Sequence, residues 1–367
     1  MIDTQLIMLE GLPSTGKSTN SDFIRMQLER NGKKVKWIHE VTRPHPLLFF
    51  SEAYLSRSDY ESILKNYPES ASILNSITVF RKNTVGIDLF EIEWNHSENI
   101  NKSVIDAIKR YDMWNCNLDK GEEATIEKWE HFIETAVQDK ETVYILDSSI
   151  FQAHIFGFLW DNAPYERLEK FTNKLCSIAK PLNPSLIYLY REDTEATIEY
   201  LEKERGTQAM AKIWERDKAR LYYHNKPKGA EGFKHFLRDY ADYAKLLFNS
   251  LDCKKISIEI TKLNWANYEN KMLSFLGIKN MPSLEFFPPN GVYRNDELCC
   301  DIIVNGLTII DPDGNKKKLT PKTANEFYIE CLPMTLCFNN SKQLIMTGLQ
   351  INARWSTTGL IYRRVEE

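Results

Sequence analysis

The sequence predicts an α/β protein in which a five-stranded parallel sheet flanked by helices is followed by a separate antiparallel β domain. Three observations predict it. Short apolar runs recur as far as Ile260, separated by segments of helical period, and this alternation builds a parallel sheet through right-handed crossovers. From Gly277 to Pro289 the composition changes, with Pro282, Pro288 and Pro289 breaking regular structure. Further on, Asn305-Gly306 lies between two apolar runs, the strongest short-range signal for a β-hairpin.

Taken in order, Gln5 to Glu10 is too brief for a helix and reads as a buried parallel strand. From Ser18 to Arg30, Phe23, Ile24 and Leu28 recur at helical spacing, and Gly32 marks the stop. Lys34 to His39 reads as the second strand. An insert at about 44–141 is mainly helical by pattern, with Ile126, Trp129, Phe132, Ile133 and Val137 as its clearest stripe. Strands follow at Thr142 to Leu146, Ser185 to Tyr190 and Lys255 to Ile260. Helices are expected over Tyr165 to Ala179, Thr194 to Glu204, Phe233 to Leu251 and Trp265 to Leu276, which closes a first domain of residues 1–277. Residues 290–367 form the second, a small antiparallel sheet or barrel. Its strands are expected at Ile302 to Val304, Leu307 to Ile310, Phe327 to Cys331, Leu336 to Phe338, Gln343 to Met346 and Leu349 to Trp355.

Composition narrows the function classes. At 367 residues and 43% hydrophobic the chain can fill two cores. No apolar run approaches a membrane span, and the N-terminus lacks the basic start and apolar stretch of a signal peptide, so a cytoplasmic protein is expected. Seven scattered cysteines without CxxC spacing fit that compartment. A net charge of −4 without a basic block argues against nucleic acid as the main partner. The histidines lack the close pairing of zinc sites, and His45, between Arg43-Pro44 and Pro46, reads as a surface loop histidine.

Gly11-Leu12-Pro13-Ser14-Thr15-Gly16-Lys17-Ser18 matches the phosphate-binding pattern GxxxxGK[ST] at every fixed position. The glycines let the backbone curl so that successive N–H groups and the positive end of the following helix face an anion. Pro13, Ser14, Thr15, Gly16 and Thr19 then line the phosphates, Lys17 reaches the β and γ groups, and the Ser18 hydroxyl ligates Mg²⁺. An apolar strand before the loop and an amphipathic helix after it supply the context the pattern requires. Asp147, ending the third strand, is the candidate carboxylate that holds the metal or its waters, and Glu40, ending the second, is a candidate proton acceptor.

These residues resemble the deoxynucleoside kinase and thymidylate kinase group of small-molecule P-loop kinases, over residues 1 to about 276. The group carries an acid just after its second strand, matched by Glu40 with Arg43-Pro44. It also carries an acid–arginine–serine motif after its third strand, to which Asp147-Ser148-Ser149 is similar, with serine in the arginine's place. The resemblance implies that Arg205 is a lid arginine, with Lys203, Lys212 and Arg216 as further candidates, and that Glu40 and Arg43 face the acceptor. Of the insert's aromatics, Phe49, Phe50, Trp94, Tyr111 and Trp114, core packing is expected ahead of ligand stacking. Gly291-Val292-Tyr293, Leu319-Thr320-Pro321 and Phe327 resemble small lipocalin-type accessory domains.

The expectation from sequence is therefore a kinase using ATP and Mg²⁺ to phosphorylate a small-molecule acceptor such as a nucleoside or nucleotide, with a homodimer as an open assembly. Lys17 and Arg205 stabilise charge, Ser18 and Asp147 hold the metal, and Glu40 accepts a proton or binds the acceptor. A regulatory ATPase or GTPase, and a nucleotide-dependent binding module using the β domain, are the alternatives.

Overall fold

The computed structural model describes residues 3–49, 51–339 and 342–365; Phe50 lies outside them. The chain divides into two compact units. The first is built from Met1–Ser21, Lys33–Lys36 and Cys116–Lys279, the second from Asp22–Gly32, Trp37–Asn115 and Asn280–Glu367. The insert's residues up to Asn115 thus group with the C-terminal β domain, a clustering that the simple change of composition near Gly277 does not convey.

The chain opens with β1 (Leu6–Gly11), α1 (Lys17–Arg30) and β2 (Lys34–Ile38). Next come β3 (Glu52–Ser56), α2 (Arg57–Asn66), α3 (Ala71–Ile77), β4 (Thr78–Phe80), β5 (Thr84–Asp88), the one-turn α4 (Leu89–Glu91) and α5 (Lys102–Lys109). The helical stripe is α6 (Leu118–Ala136), and β6 (Thr142–Asp147) follows it. Then come α7 (Gln152–Trp160), α8 (Tyr165–Ala179), β7 (Pro184–Tyr190), α9 (Thr194–Arg205), α10 (Thr207–Asp217), α11 (Ala230–Ser250), β8 (Lys254–Glu259) and α12 (Trp265–Leu276).

Strands β2-β6-β1-β7-β8 form a five-stranded sheet in that order. β1 pairs in parallel with both β6 and β7, and β7 with β8. Every residue of β1 and β6 is buried, as strands covered by helices on both faces require. The five strands and helices α1, α8, α9, α11 and α12 are those the sequence predicts, with ends within three residues, whereas α7 and α10 are helices that the sequence reading did not expect. Gly277 stops α12 in the left-handed region, at φ +68°.

Within the second unit, the insert is not mainly helical throughout. β3, β5 and β4 form a three-stranded antiparallel sheet over a core of Leu55, Tyr60, Ile63, Leu74, Val85, Ile87, Val104 and Ile108. Sequence pattern misses these strands because they are three to five residues long and three of the buried positions in and beside them, Glu52, Arg81 and Asp88, are charged. Glu52 and Arg81, with side chains each about 4% exposed, form a 2.6 Å ion pair through Arg81 Nη2 and Glu52 Oε1. Gly86 makes room for that pair, since a Cβ there would overlap Glu52 Oε1 and Arg81 Nη1.

The C-terminal strands β9 (Gly291–Asn295), β10 (Cys300–Asn305), β11 (Thr308–Ile310), β12 (Lys316–Pro321), β13 (Glu326–Ile329), β14 (Met334–Asn339), β15 (Gln343–Gly348) and β16 (Ile361–Arg364) close into an antiparallel barrel, β16 pairing back onto β9. The expected hairpin turns at Asn305-Gly306, with Gly306 at φ +55° and Asn305 opposite Thr308. Alternate residues point inward, and Tyr293, Ile302, Val304, Leu319, Phe327, Leu336, Phe338, Met346 and Tyr362 fill the interior. One expected strand is corrected. Leu349 to Trp355 contains only an isolated bridge at Ile351 and a 3₁₀ turn at Arg354–Ser356. The strand that does close the barrel, β16, lies beyond it.

Candidate functional site

β1 ends in Glu10-Gly11 and the chain turns through Leu12 to Gly16 into the first turn of α1. Gly11 has φ +153°, and a Cβ there would overlap the carbonyl oxygen of Leu189 on β7, a backbone atom fixed in the sheet. Ser14 at φ +60° and Gly16 at φ +85° complete the curl. The Thr15 amide and hydroxyl both donate to the Leu12 carbonyl, at 3.3 and 2.7 Å, and Asn20 Nδ2 donates to Gly16 O at 2.7 Å. The Lys17 ammonium donates to the carbonyls of Gly11 and Leu12 at 2.9 and 3.0 Å, so the lysine folds over the loop it belongs to. Ser18 is half-buried and Thr19 exposed in the first turn of α1, where backbone amides have no acceptor within the helix.

Asp147 is fully buried and stands opposite Leu9 in the β1–β6 register. The chain leaves β6 through Ser148, at φ +61°, whose amide donates to Leu9 O at 3.0 Å. The loop, Lys17, Ser18 and Asp147 thus belong to the carboxyl ends of adjacent strands, where open parallel sheets gather ligands.

The same strand ends carry residues that sequence reading missed. Glu10 is fully buried; its Oε1 accepts from the Ile150 amide at 2.7 Å, while Oε2 has no hydrogen-bond partner among the described residues. Burial pushes its carboxyl up to about 7, against the pull of the Ile150, Phe151 and Gln152 amides and the Lys17 ammonium. Arg191 follows β7 and is 8% exposed; its guanidinium lies 4.8 Å from the centroid of the Tyr200 ring. Trp265, half-exposed at the start of α12, packs against Gly16, where a Cβ would meet its ring at 3.0 Å. The only available sequence signal for Glu10 and Arg191 was an ionisable residue at the end of an otherwise apolar run.

Arg205 ends α9 and is exposed; Lys203 and Lys212 are exposed as well. Arg216 is engaged, its Nε and Nη2 donating to the two carboxylate oxygens of buried Asp217 at 2.7 Å each.

Glu40 and Arg43 belong to the second unit. Glu40 is half-buried in a turn closed by the Thr42 amide donating to His39 O at 2.9 Å. Arg43 is buried and committed to its neighbours. Its Nη1 lies 2.8 Å from Asp88 Oδ2 and 3.5 Å from Glu91 Oε2, its Nε donates to Ile351 O at 3.3 Å, and its guanidinium lies 4.1 Å from the centroid of the Trp94 ring. That makes Arg43 a tie between the insert and the segment before β16, and it gives Trp94 a structural task. His45 is not a surface histidine. It is 1% exposed and its Nδ1 accepts from the amides of Leu47 and Leu48 at 3.0 and 2.9 Å, which gives these backbone donors a side-chain acceptor.

Among the described residues no helix is long and apolar enough to cross a membrane. No protein-family model and no curated protein matches the chain. Solved structures do match, among them the YorR protein of Bacillus subtilis in complex with phosphorylated GDP. To that structure the chain is similar at 9% identity and a TM-score of 0.33, over 74% of this chain and 95% of the other.

Proposed function

We propose that the chain is a P-loop phosphotransferase that moves the γ-phosphate of ATP to a hydroxyl or phosphate oxygen of a small-molecule acceptor. One observation carries the reading: a complete GxxxxGK[ST] sequence occupies the turn from a buried parallel strand into a helix, with Lys17 folded onto the loop carbonyls. On binding, the ammonium would exchange those carbonyls for phosphate oxygens, while the amides at the start of α1 receive the remaining charge. The Ser18 hydroxyl and the Asp147 carboxylate are hard oxygen donors of the kind Mg²⁺ takes, and the bound ion would neutralise charge on the phosphates. Glu40 would accept the acceptor's proton. Exposed Arg205 at the end of α9 would close over the transferring group and exclude water.

The test is incubation with γ-labelled ATP and a pool of small metabolites. Label is expected to move to a small molecule, and Glu40→Gln should abolish the transfer while leaving the affinity for ATP within about twofold. Release of free phosphate alone would overturn the transferase reading. It would favour a second one, a regulatory ATPase, for which one observation speaks. α1 begins at the phosphate loop in the first unit, and its residues from Asp22 onward belong to the unit that contains the barrel.

A further inference from the structure

We infer that Arg191 is a second fixed cation of the phosphate site, donating to the β- or γ-phosphate of the bound nucleotide; this rests on the nucleotide reading above. β7 is the neighbour of β1, and the register pairs Leu189 with Gly11, so Arg191 leaves the sheet two residues beyond the strand position that borders the phosphate loop. The strand stays paired up to that point, with the Ile260 amide donating to Tyr190 O at 2.9 Å, which anchors the backbone that carries the arginine. The side chain is more than nine-tenths buried, yet its Nη1 has no hydrogen-bond partner among the described residues.

A buried guanidinium normally meets a carboxylate, as Arg43 and Arg81 do here. Arg191 meets the Tyr200 ring instead. That contact stabilises positive charge electrostatically without supplying a hydrogen-bond acceptor. An open Nη1 donor on a residue just past the strand position paired with Gly11 suits a phosphate oxygen, which a guanidinium can engage through two parallel bonds. Arg205 differs, being exposed on a helix end. Arg191 would be in place before the nucleotide arrives, and Arg205 would come to it afterwards.

The test uses the full-length protein and two probes, Mg-ATP and inorganic tripolyphosphate, titrated calorimetrically against wild type, Arg191→Met, Arg191→Lys and Lys17→Ala. Arg191→Met is expected to weaken both probes by about tenfold or more, the size of one charge-assisted hydrogen bond, with Arg191→Lys recovering part of the loss. Affinity for both probes unchanged in Arg191→Met would overturn the assignment. So would a loss confined to ATP, which would place the arginine at the nucleoside or in packing alone. If Arg191→Met does not fold, Arg191→Lys carries the test, since a moved ammonium should still weaken tripolyphosphate measurably and an unchanged affinity overturns the assignment. Lys17→Ala separates the two levels. If it leaves ATP affinity intact, the nucleotide reading itself fails; if it abolishes binding while the Arg191 variants bind as wild type, only the present inference does.

Discussion

At Glu10, burial and hydrogen bonding pull in opposite directions: burial raises the carboxyl to about 7, while three backbone amides and the Lys17 ammonium draw it down. Unfolded, the group returns towards its ordinary value of 4.5, so between 4.5 and about 7 the folded protein holds more protons than the unfolded chain. Stability from this group therefore falls as pH rises through that window and levels off above it. Glu10→Gln should flatten the slope and raise stability at pH 8 by up to about 3 kcal/mol, read from urea denaturation at several pH values. An unaltered slope would assign the titration to another group. This residue also shows what sequence can tell at this scale. Gly11, Gly16 and Lys17 are legible because a fixed spacing demands them. Glu10 and Arg191 are not, because an ionisable residue at a strand end has the same one-dimensional appearance whether water or the interior surrounds it.

Among elements, the central parallel strands announce themselves because burial on both faces makes them nearly continuous apolar runs up to a single acid near the end, as in Leu6–Gly11 and Thr142–Asp147. The insert's sheet does not, since part of its interior is an ion pair. Gly86 is where that arrangement is most sensitive. Gly86→Ala should cost about 2 kcal/mol or more by displacing Glu52 and Arg81, with denaturation midpoints as the measure. A neutral substitution would mean that the pair contributes little order to β3 and β5. In the barrel, the hairpin at Asn305-Gly306 was legible from its turn chemistry. β12 was harder to read, since three lysines precede its two inward residues, Leu319 and Pro321. Closure could not be read locally at all, because the contact that seals the barrel joins β9 to β16, at opposite ends of the segment.

For the whole molecule, the break in composition near Gly277 marks one boundary, and the second compact unit draws on three separated stretches of the chain. Its internal bonds show what joins them. Asp22 accepts from the Cys331 amide at 3.1 Å and pairs with Arg25 at 2.5 Å. The Arg25 guanidinium lies 5.2 Å from the Trp37 ring centroid and 4.6 Å from that of Tyr328, and the Tyr328 hydroxyl donates to Glu29 at 2.7 Å. A chain truncated after Lys279 would strip the Cys331 amide donor from buried Asp22 and the Tyr328 ring from buried Arg25. It is expected to melt at least about 5 °C lower than the full chain in calorimetry. A truncated protein with an unchanged melting temperature would show that the rest of the chain folds without reference to the barrel.

The helix that starts at the phosphate loop contributes Lys17 to Ser21 to one unit and Asp22 onward to the other, so its fourteen residues are common property. An α-helix fractures only at the expense of its own ladder of backbone bonds, and no proline interrupts this one. Slow exchange of its amide hydrogens should therefore be set by whichever unit opens less readily, so that the weaker body inherits protection from the stronger along a single rod.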